Sequence, residues 1–332
     1  MADTSASMKR RTLCIAMAGA PLVAAPAGRA QSRMARVAVV SIDRPSPDSP
    51  AVANFRRGMR DKGYVEGRNL VVDTWWGEGS AERLAALVPQ IVASRPDVIV
   101  ALSGLVVRPL QAAGVTLPVV FTYSGEPVLG KVVASYARPG GNFTGIALFM
   151  IELVPKRVEI LREMLPGMRR LGIVGWSRHA GEPLEVKASL EAAKRAGVEA
   201  RYHPADNLAD IEAAYASMAA WRADAALAFA DGVTVSNAAR IAALSRQHRF
   251  PTIGGWAVFA QQGNLMTYGP NLEETYAHLA VFVDRILRGA KPADIPVERP
   301  TVHEFAINLA TARDFRIVVP PAVLARASVL ID

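Results

Sequence analysis

The sequence predicts an α/β protein of two doubly wound parallel-sheet lobes with a hinged cleft between them. Three observations predict it. Short apolar runs rich in Val, Ile, Leu and Ala alternate with helical stretches, the pattern of buried parallel strands and their crossovers. The pattern runs once to about residue 148 and then restarts. At 332 residues, 51% hydrophobic, 20% charged and 7% aromatic, the chain has globular composition and material for two sizeable cores.

Residues 1–30 are set aside first. Lys9-Arg10-Arg11 is a basic start, a weakly apolar stretch follows to Ala27, and small residues up to Ala30 close it. This reads as a secretory signal peptide, too short and too rich in Ala and Gly to span a bilayer. The Arg10-Arg11 pair suits twin-arginine export, and Met8 is a candidate start. Cys14 precedes the apolar run instead of ending it, which argues against lipidation.

The body then reads in order. Residues 36–42 (RVAVVSI) form a buried strand. Asp48 or Ser49 caps a helix to about Lys62, closed by Gly63. A strand at 69–76 leads to Ser80, which caps a helix to about Ser94; strand 97–102 ends at Ser103-Gly104. A helix to Gly114, strand 117–123 and strand 142–148 complete the first set. The second set is helix 151–165, strand 171–176, helix 182–196, strand 199–203, helix 208–220, strand 225–230, helix 233–249 and strand 251–254. Strand 264–268, helix 272–287 and a strand near 303–308 form the tail. The simplest path for the surplus strand and helix returns the chain to the first lobe near residue 266 and back near 300. The lobes are then 36–148 plus about 266–300, and 149–265 plus about 301–332.

Composition excludes several chemistries. Cys14, in the leader, is the sole cysteine, so the body has no disulfide framework, Cys-zinc site or thiol nucleophile. No two of the five histidines are spaced as metal ligands. Net charge is +8, of which +3 lies in the leader, and no basic run or module points to nucleic acid. Gly125 to Lys131 fits the spacing of a phosphate-binding loop, but Val132 stands where a hydroxyl must hold magnesium and Pro127 removes a backbone N–H. Gly77 and Gly79 are followed by Glu82, which breaks the dinucleotide fingerprint. Ser177 approaches a nucleophile elbow but has His179 for the last glycine. No cofactor or metal is expected.

Ligands of doubly wound sheets bind outside the carboxyl ends of the strands. The residues there are Ser41, Asp43, Ser103, Gly104, Tyr123, Ser124, Glu126, Trp176, Ser177, Asp231 and Trp256. Helices begin beside several of them, so free backbone N–H groups are available to a carboxylate near Ser103 and Ser124. Asp231 either meets a ligand ammonium or caps the helix beginning at Val233. Trp176 and Trp256 offer flat apolar faces.

Three segments carry a resemblance: FRRGMRDKGYVEGRNLVVDTWWGEGSAERL from Phe55, PVVFTYSGEPVLGKVVASYARPGGNFTGI from Pro118, and NLMTYGPNLEETYAHLAVFVDRILRGAKPADIPVERPTVHEF from Asn264. The chain resembles the ABC transporter substrate-binding family that includes tryptophan-binding proteins, over essentially the whole mature length. The resemblance implies a periplasmic binding protein of the type I fold, a monomer that delivers a small solute, an amino acid or similar zwitterion, to an inner-membrane permease. It also implies a tight turn at Arg138-Pro-Gly-Gly-Asn142 whose glycines take positive φ, and a rigid strap at 291–296. Two positions depart from the family pattern: Glu126 stands for the usual Asp, and Ser103 to Val107 is more apolar than usual. A ligand sensor feeding a signalling receptor and an exported α/β hydrolase stand as alternatives.

Overall fold

The structure is a computed structural model that describes residues 34–148 and 150–332. The leader expected over residues 1–30 lies outside the described residues.

The first lobe is built by β1 (Ala35–Ser41), α1 (Pro50–Asp61), β2 (Leu70–Trp76), α2 (Ala81–Ala93), β3 (Val98–Ala101), α3 (Gly104–Ala112), β4 (Val119–Tyr123) and β5 (Phe143–Ala147). The strands are all parallel, in the order β2-β1-β3-β4-β5. Strand alternation divides the core into two layers. Val37 and Val39 of β1 face Phe55 and Met59 of α1, while Ala38 and Val40 face Leu84, Val88 and Ile91 of α2 and Val106, Val107 and Leu110 of α3.

The second lobe follows with α4 (Met150–Met164), β6 (Arg170–Gly175), α5 (Glu182–Arg195), β7 (Glu199–Pro204), α6 (Leu208–Ala220), β8 (Ala225–Ala228), α7 (Gly232–Ser236), α8 (Ala238–His248), β9 (Thr252–Gly254), α9 (Ala257–Gln261) and β10 (Met266–Pro270). The chain then forms α10 (Leu272–Leu287) and ends with β11 (His303–Asn308), α11 (Leu309–Asp314), α12 (Pro321–Leu324) and β12 (Val329–Ile331). The second sheet runs β12-β11-β10-β9-β8-β6-β7, with β10 and β11 antiparallel and the other pairs parallel. Its two layers are divided in the same way. Leu171 and Ile173 face Leu161 and Met164 of α4 and Ala192 and Ala193 of α5. Val174, Ala226 and Ala228 face Ile211 and Tyr215 of α6 and Ile241 and Leu244 of α8.

Three expectations need correction. The strand expected at the crossover belongs to the second lobe: Met266 and Thr267 pair with Ile253 and Gly254, and Met266 lies in that lobe's core. The return to the first lobe therefore begins after Pro270. Helix 233–249 is two helices, broken at Asn237, whose φ of −110° and ψ of 17° leave helical space and whose Nδ2 donates to Val233 O at 2.8 Å. At Arg138 to Asn142, Gly140 takes positive φ (77°) and Gly141 does not. α9, α11, α12 and β12 are too short for hydrophobic periodicity to mark them.

The excursion through α10 ties the lobes together. Leu279, Phe282, Val283 and Ile286 of α10 pack with Phe55 and Met59 of α1. The next segment is pinned to β5: Thr144 Oγ1 donates to Ile295 O at 2.7 Å, and Glu298 N to Gly145 O at 2.9 Å. Arg299 then pairs with Glu152 of α4 at 3.0 Å as the chain re-enters the second lobe. The α1–α10 contact is close enough that a Cβ on Gly58 would lie 2.1 Å from Ala277 O. Gly58→Ala is expected to destabilise by about 1–3 kcal/mol through overpacking, outweighing the helix-propensity gain of about 1 kcal/mol. A thermal melt checks this; an unchanged or raised Tm would show that the two helices separate without penalty.

Candidate binding cleft

Each sheet reverses its strand order once among its parallel strands, between β1 and β3 in the first lobe and between β6 and β8 in the second. The helices after the two strands of each pair leave to opposite faces, which opens a crevice at the carboxyl ends. α1 follows β1 onto one layer and α3 follows β3 onto the other. α5 and α8 repeat this in the second lobe.

At the end of β1, Ser41 Oγ donates to Asp43 Oδ2 at 2.7 Å. At the end of β3, Ser103 is the N-cap of α3, yet its hydroxyl makes no capping bond; it is buried and has no hydrogen-bond partner among the described residues. In the second lobe, Trp176 follows β6, and Trp256 is the N-cap of α9 just beyond β9. Both indole Nε1 groups are buried without a partner among the described residues. Ala230 and Trp256 pack into the apolar cluster of the first lobe around Ile146 and Leu148. Two switch points thus present buried, unspent donors where the lobes meet.

Asp231 is fully buried at 0% exposure and caps α7. Its Oδ1 accepts from Val233 N at 2.9 Å and Thr234 N at 2.8 Å, and its Oδ2 from Trp176 N at 2.8 Å. The carboxylate therefore ties the end of β6 to the start of α7. Burial pushes its pKa up, and the Thr234 and Trp176 N–H groups and the nearby His179 pull it back only in part.

Several expected residues serve their own lobe. Glu126 accepts from Leu129 N at 2.6 Å and from the Tyr136 hydroxyl, so its carboxylate holds a turn of the first lobe. Tyr123 is buried in the first-lobe core, with its ring against Gly104, where a Cβ would lie 3.0 Å away. Gly104 is therefore a packing glycine. Ser177 Oγ donates to Asp206 at 2.7 Å, within the second lobe.

Ser124 meets the other lobe. Its Oγ lies 2.9 Å from His179 Nε2, and His179 Nδ1 lies 3.3 Å from Glu185 Oε2, within ion-pairing distance though off-line for a hydrogen bond. Glu185, 1% exposed, also interacts with Arg157, 0% exposed, whose Nε donates to Tyr268 O at 2.8 Å. Burial pushes Arg157 down to about 10, against the pull of Glu185, so it stays charged at neutral pH. Ser124, His179 and Glu185 follow the order of a hydrolytic triad, and the residue beside Ser124 packs on the other lobe: a Cβ on Gly125 would lie 2.2 Å from Ala180 O.

Sequence reading missed Arg108, one turn into α3. Its guanidinium sits 5.5 Å from the Trp176 ring centroid and donates to Arg178 O at 2.9 Å, both across the cleft. It missed Leu105 as well, whose Cδ1 would lie 2.6 Å from a Cβ on Gly232. A polar residue four or five positions past a strand-end serine was the available signal for Arg108. Among the described residues there is no group of three or more His, Cys, Asp or Glu placed to hold a metal, and no helix long and apolar enough to cross a membrane.

Comparison with known proteins agrees with the two-lobed fold. Residues 36–331 match the family described as ABC transporter substrate binding protein. The tyrosine-binding protein of Clostridioides difficile is 22% identical over 272 residues, 82% of this chain and 78% of that protein. A conserved domain protein from Vibrio cholerae superposes with a TM-score of 0.80 at 27% identity, covering 90% of this chain and 100% of the other. An ABC domain in complex with L-Trp from Streptococcus pneumonia superposes with a TM-score of 0.81 at 21% identity, covering 90% and 99%. The two lobes are those of the type I periplasmic binding protein fold.

The His179–Glu185 pair makes a pH signature. Burial pushes the imidazole pKa down, and the Glu185 carboxylate more than offsets this, so His179 titrates above its ordinary range. A raised folded-state pKa gives stability that is complete below about pH 6.5, the unfolded value, and is lost as pH rises through the folded value. The difference in Tm between the parent and His179→Gln should therefore shrink as pH rises through and beyond neutrality. A difference independent of pH would show that the fold does not shift the His179 pKa, and one that grows as pH rises would show that the ring is held neutral.

Proposed function

The chain belongs to the ABC transporter substrate-binding protein family, and on that premise we propose that it is the extracytoplasmic receptor of an ABC importer, binding an amino acid or related zwitterion between its lobes and delivering it to an inner-membrane permease. The observation that carries the reading is the set of buried, partnerless donors, Ser103 Oγ and the Trp176 and Trp256 Nε1 groups, gathered at the ends of strands where the lobes meet. Donors in that position suit a ligand rich in acceptors, and the indole rings suit an apolar or aromatic side group. The tyrosine and L-Trp bound by the two relatives belong to that class.

In this reading the ligand carboxylate lies at the start of α3, with Ser103 Oγ and the first backbone N–H groups. The ammonium lies at Asp231, on the acceptor capacity of Oδ2 that remains after Trp176 N; a carboxylate offers about four acceptor positions. Asp43, exposed at the opposite switch point, adds negative charge. The leader, with Arg10-Arg11, sends the chain to the periplasm.

Asp231 has two separable duties. Asp231→Asn keeps an oxygen for Val233 and Thr234 while removing the charge, whereas Asp231→Ala removes both. Breaking one side of a buried charge pair costs roughly 3–5 kcal/mol, so the Asn variant is expected to bind on the order of a hundredfold more weakly, and to lose about 1–3 kcal/mol of stability because its amide nitrogen leaves the Trp176 N–H unpaired. The Ala variant is expected to lose a further 0.5–2 kcal/mol or so of stability with its cap. Native mass spectrometry of freshly purified protein, then calorimetry with L-tryptophan and L-tyrosine, checks both. Undiminished affinity in the Asn variant would remove Asp231 from the ligand.

Export is tested separately. Lys-Lys in place of Arg10-Arg11 is expected to leave unprocessed chain in the cytoplasm. Continued export would assign the general secretory route.

A further inference from the structure

We infer that residues 176–181 form a latch that holds the lobes closed through protein–protein contacts of its own, with Arg108 and His179 as its positioning residues. The inference rests on the reading of the cleft as a closing binding site, but it concerns contacts that need no ligand.

Four contacts run from this one segment to the first lobe. The Arg108 guanidinium covers the Trp176 ring at 5.5 Å, and its NH2 group donates to Arg178 O at 2.9 Å. Ser124 Oγ meets His179 Nε2 at 2.9 Å. Glu126 N donates to Ala180 O at 2.9 Å. The segment is itself held at both ends from within the second lobe. Trp176 N is fixed by Asp231, and the ring of His179 is fixed by Glu185 at the first turn of α5. A segment anchored on one lobe and bonded along its length to the other acts as a clasp.

The chemistry of the clasp tolerates changes of state. The serine hydroxyl both donates and accepts, so the Ser124–His179 contact exists with the ring neutral or charged. Arg108 brings a planar cation that stacks and donates at once, which lysine does not reproduce. Its charge faces Trp176, the Tyr123 hydroxyl and His179. Closure requires the backbones to approach, and the chain has glycine at the contact: Gly125 faces Ala180 O at a distance that no side chain fits.

Latch strength sets how much of the protein is closed, and apparent affinity scales with the population of the binding-competent state. A tenfold loss of closed population thus weakens apparent affinity about tenfold with every ligand contact intact. Arg108 and His179 would tune retention of the ligand without touching it.

The test uses the mature chain, which has no cysteine of its own, with spin labels on Ala86→Cys in α2 and Glu191→Cys in α5, both exposed. Pulsed electron resonance without added ligand reads the distance between lobes. Arg108→Gln combined with Ser124→Ala is expected to move the distribution to longer distances, with circular dichroism unchanged. Arg108→Lys is expected to restore it only in part. Gly125→Ala, which leaves both partners but installs a wedge, is expected to lengthen the distance as well. Distributions in the combined variant and in Gly125→Ala that superpose on the parent would overturn the latch. Failure of L-tryptophan or L-tyrosine to bind, with the distances shifting as expected, would overturn the ligand assignment instead and leave the latch standing.

Discussion

The structure depends on one topological constraint. Parallel strands must be joined by crossovers of a single hand, so a sheet that begins in its middle and grows outward both ways has to send successive helices to opposite faces. This happens at β1 and β3 and again at β6 and β8. The backbone there parts and leaves strand ends uncovered. Several polar groups of the cleft sit on those ends: Ser41 and Asp43, Ser103, Trp176, and Asp231. The second lobe repeats the order of the first from β6 to β10 before adding β11 and β12. The cleft thus faces one crevice with another of the same construction.

Asp231 shows how such an end is made rigid. A buried carboxylate without partners is expensive, and this one is satisfied by three backbone N–H groups on two different segments. The same bonds that make its burial tolerable fix the start of α7 and the backbone of Trp176. Glu185, between Arg157 and His179, solves the same problem with side chains, and so brings a histidine ring to the lobe boundary. Buried charge is used here to place groups, consistent with its weak worth as pure stabilisation.

The excursion through α10 explains why two lobes with separate cores act as one body. The helix belongs to the first lobe by packing, yet both ends of the excursion emerge from the second sheet, at Pro270 and His303, which are paired across β10 and β11. The crossings are therefore held side by side by a strand pair, a short connection suited to bending. The contacts of residues 176–181 lie on the β4 and α3 side of the first lobe, with the crossings on β5 and α10.

Local periodicity by itself determined the longer strands and helices and the repetition of one pattern in two lobes, and with it the expectation of a site at the strand ends. Strand 36–42 and helix 272–287 were legible because burial on a sheet or a helix face writes itself into spacings of two and of three to four residues. The partners of each strand-end residue were not legible. Glu126 is taken by Tyr136, Ser177 by Asp206, and Ser124 meets His179, 55 residues away. Thr267 reads like any strand residue until β9 and β11 are seen on either side of it. Hydrogen bonds and close packing are pairwise, and one member of each pair is delivered by the fold from a distant part of the chain. Only the tertiary structure could decide which polar residues were already spent on neighbours and which remained for a ligand.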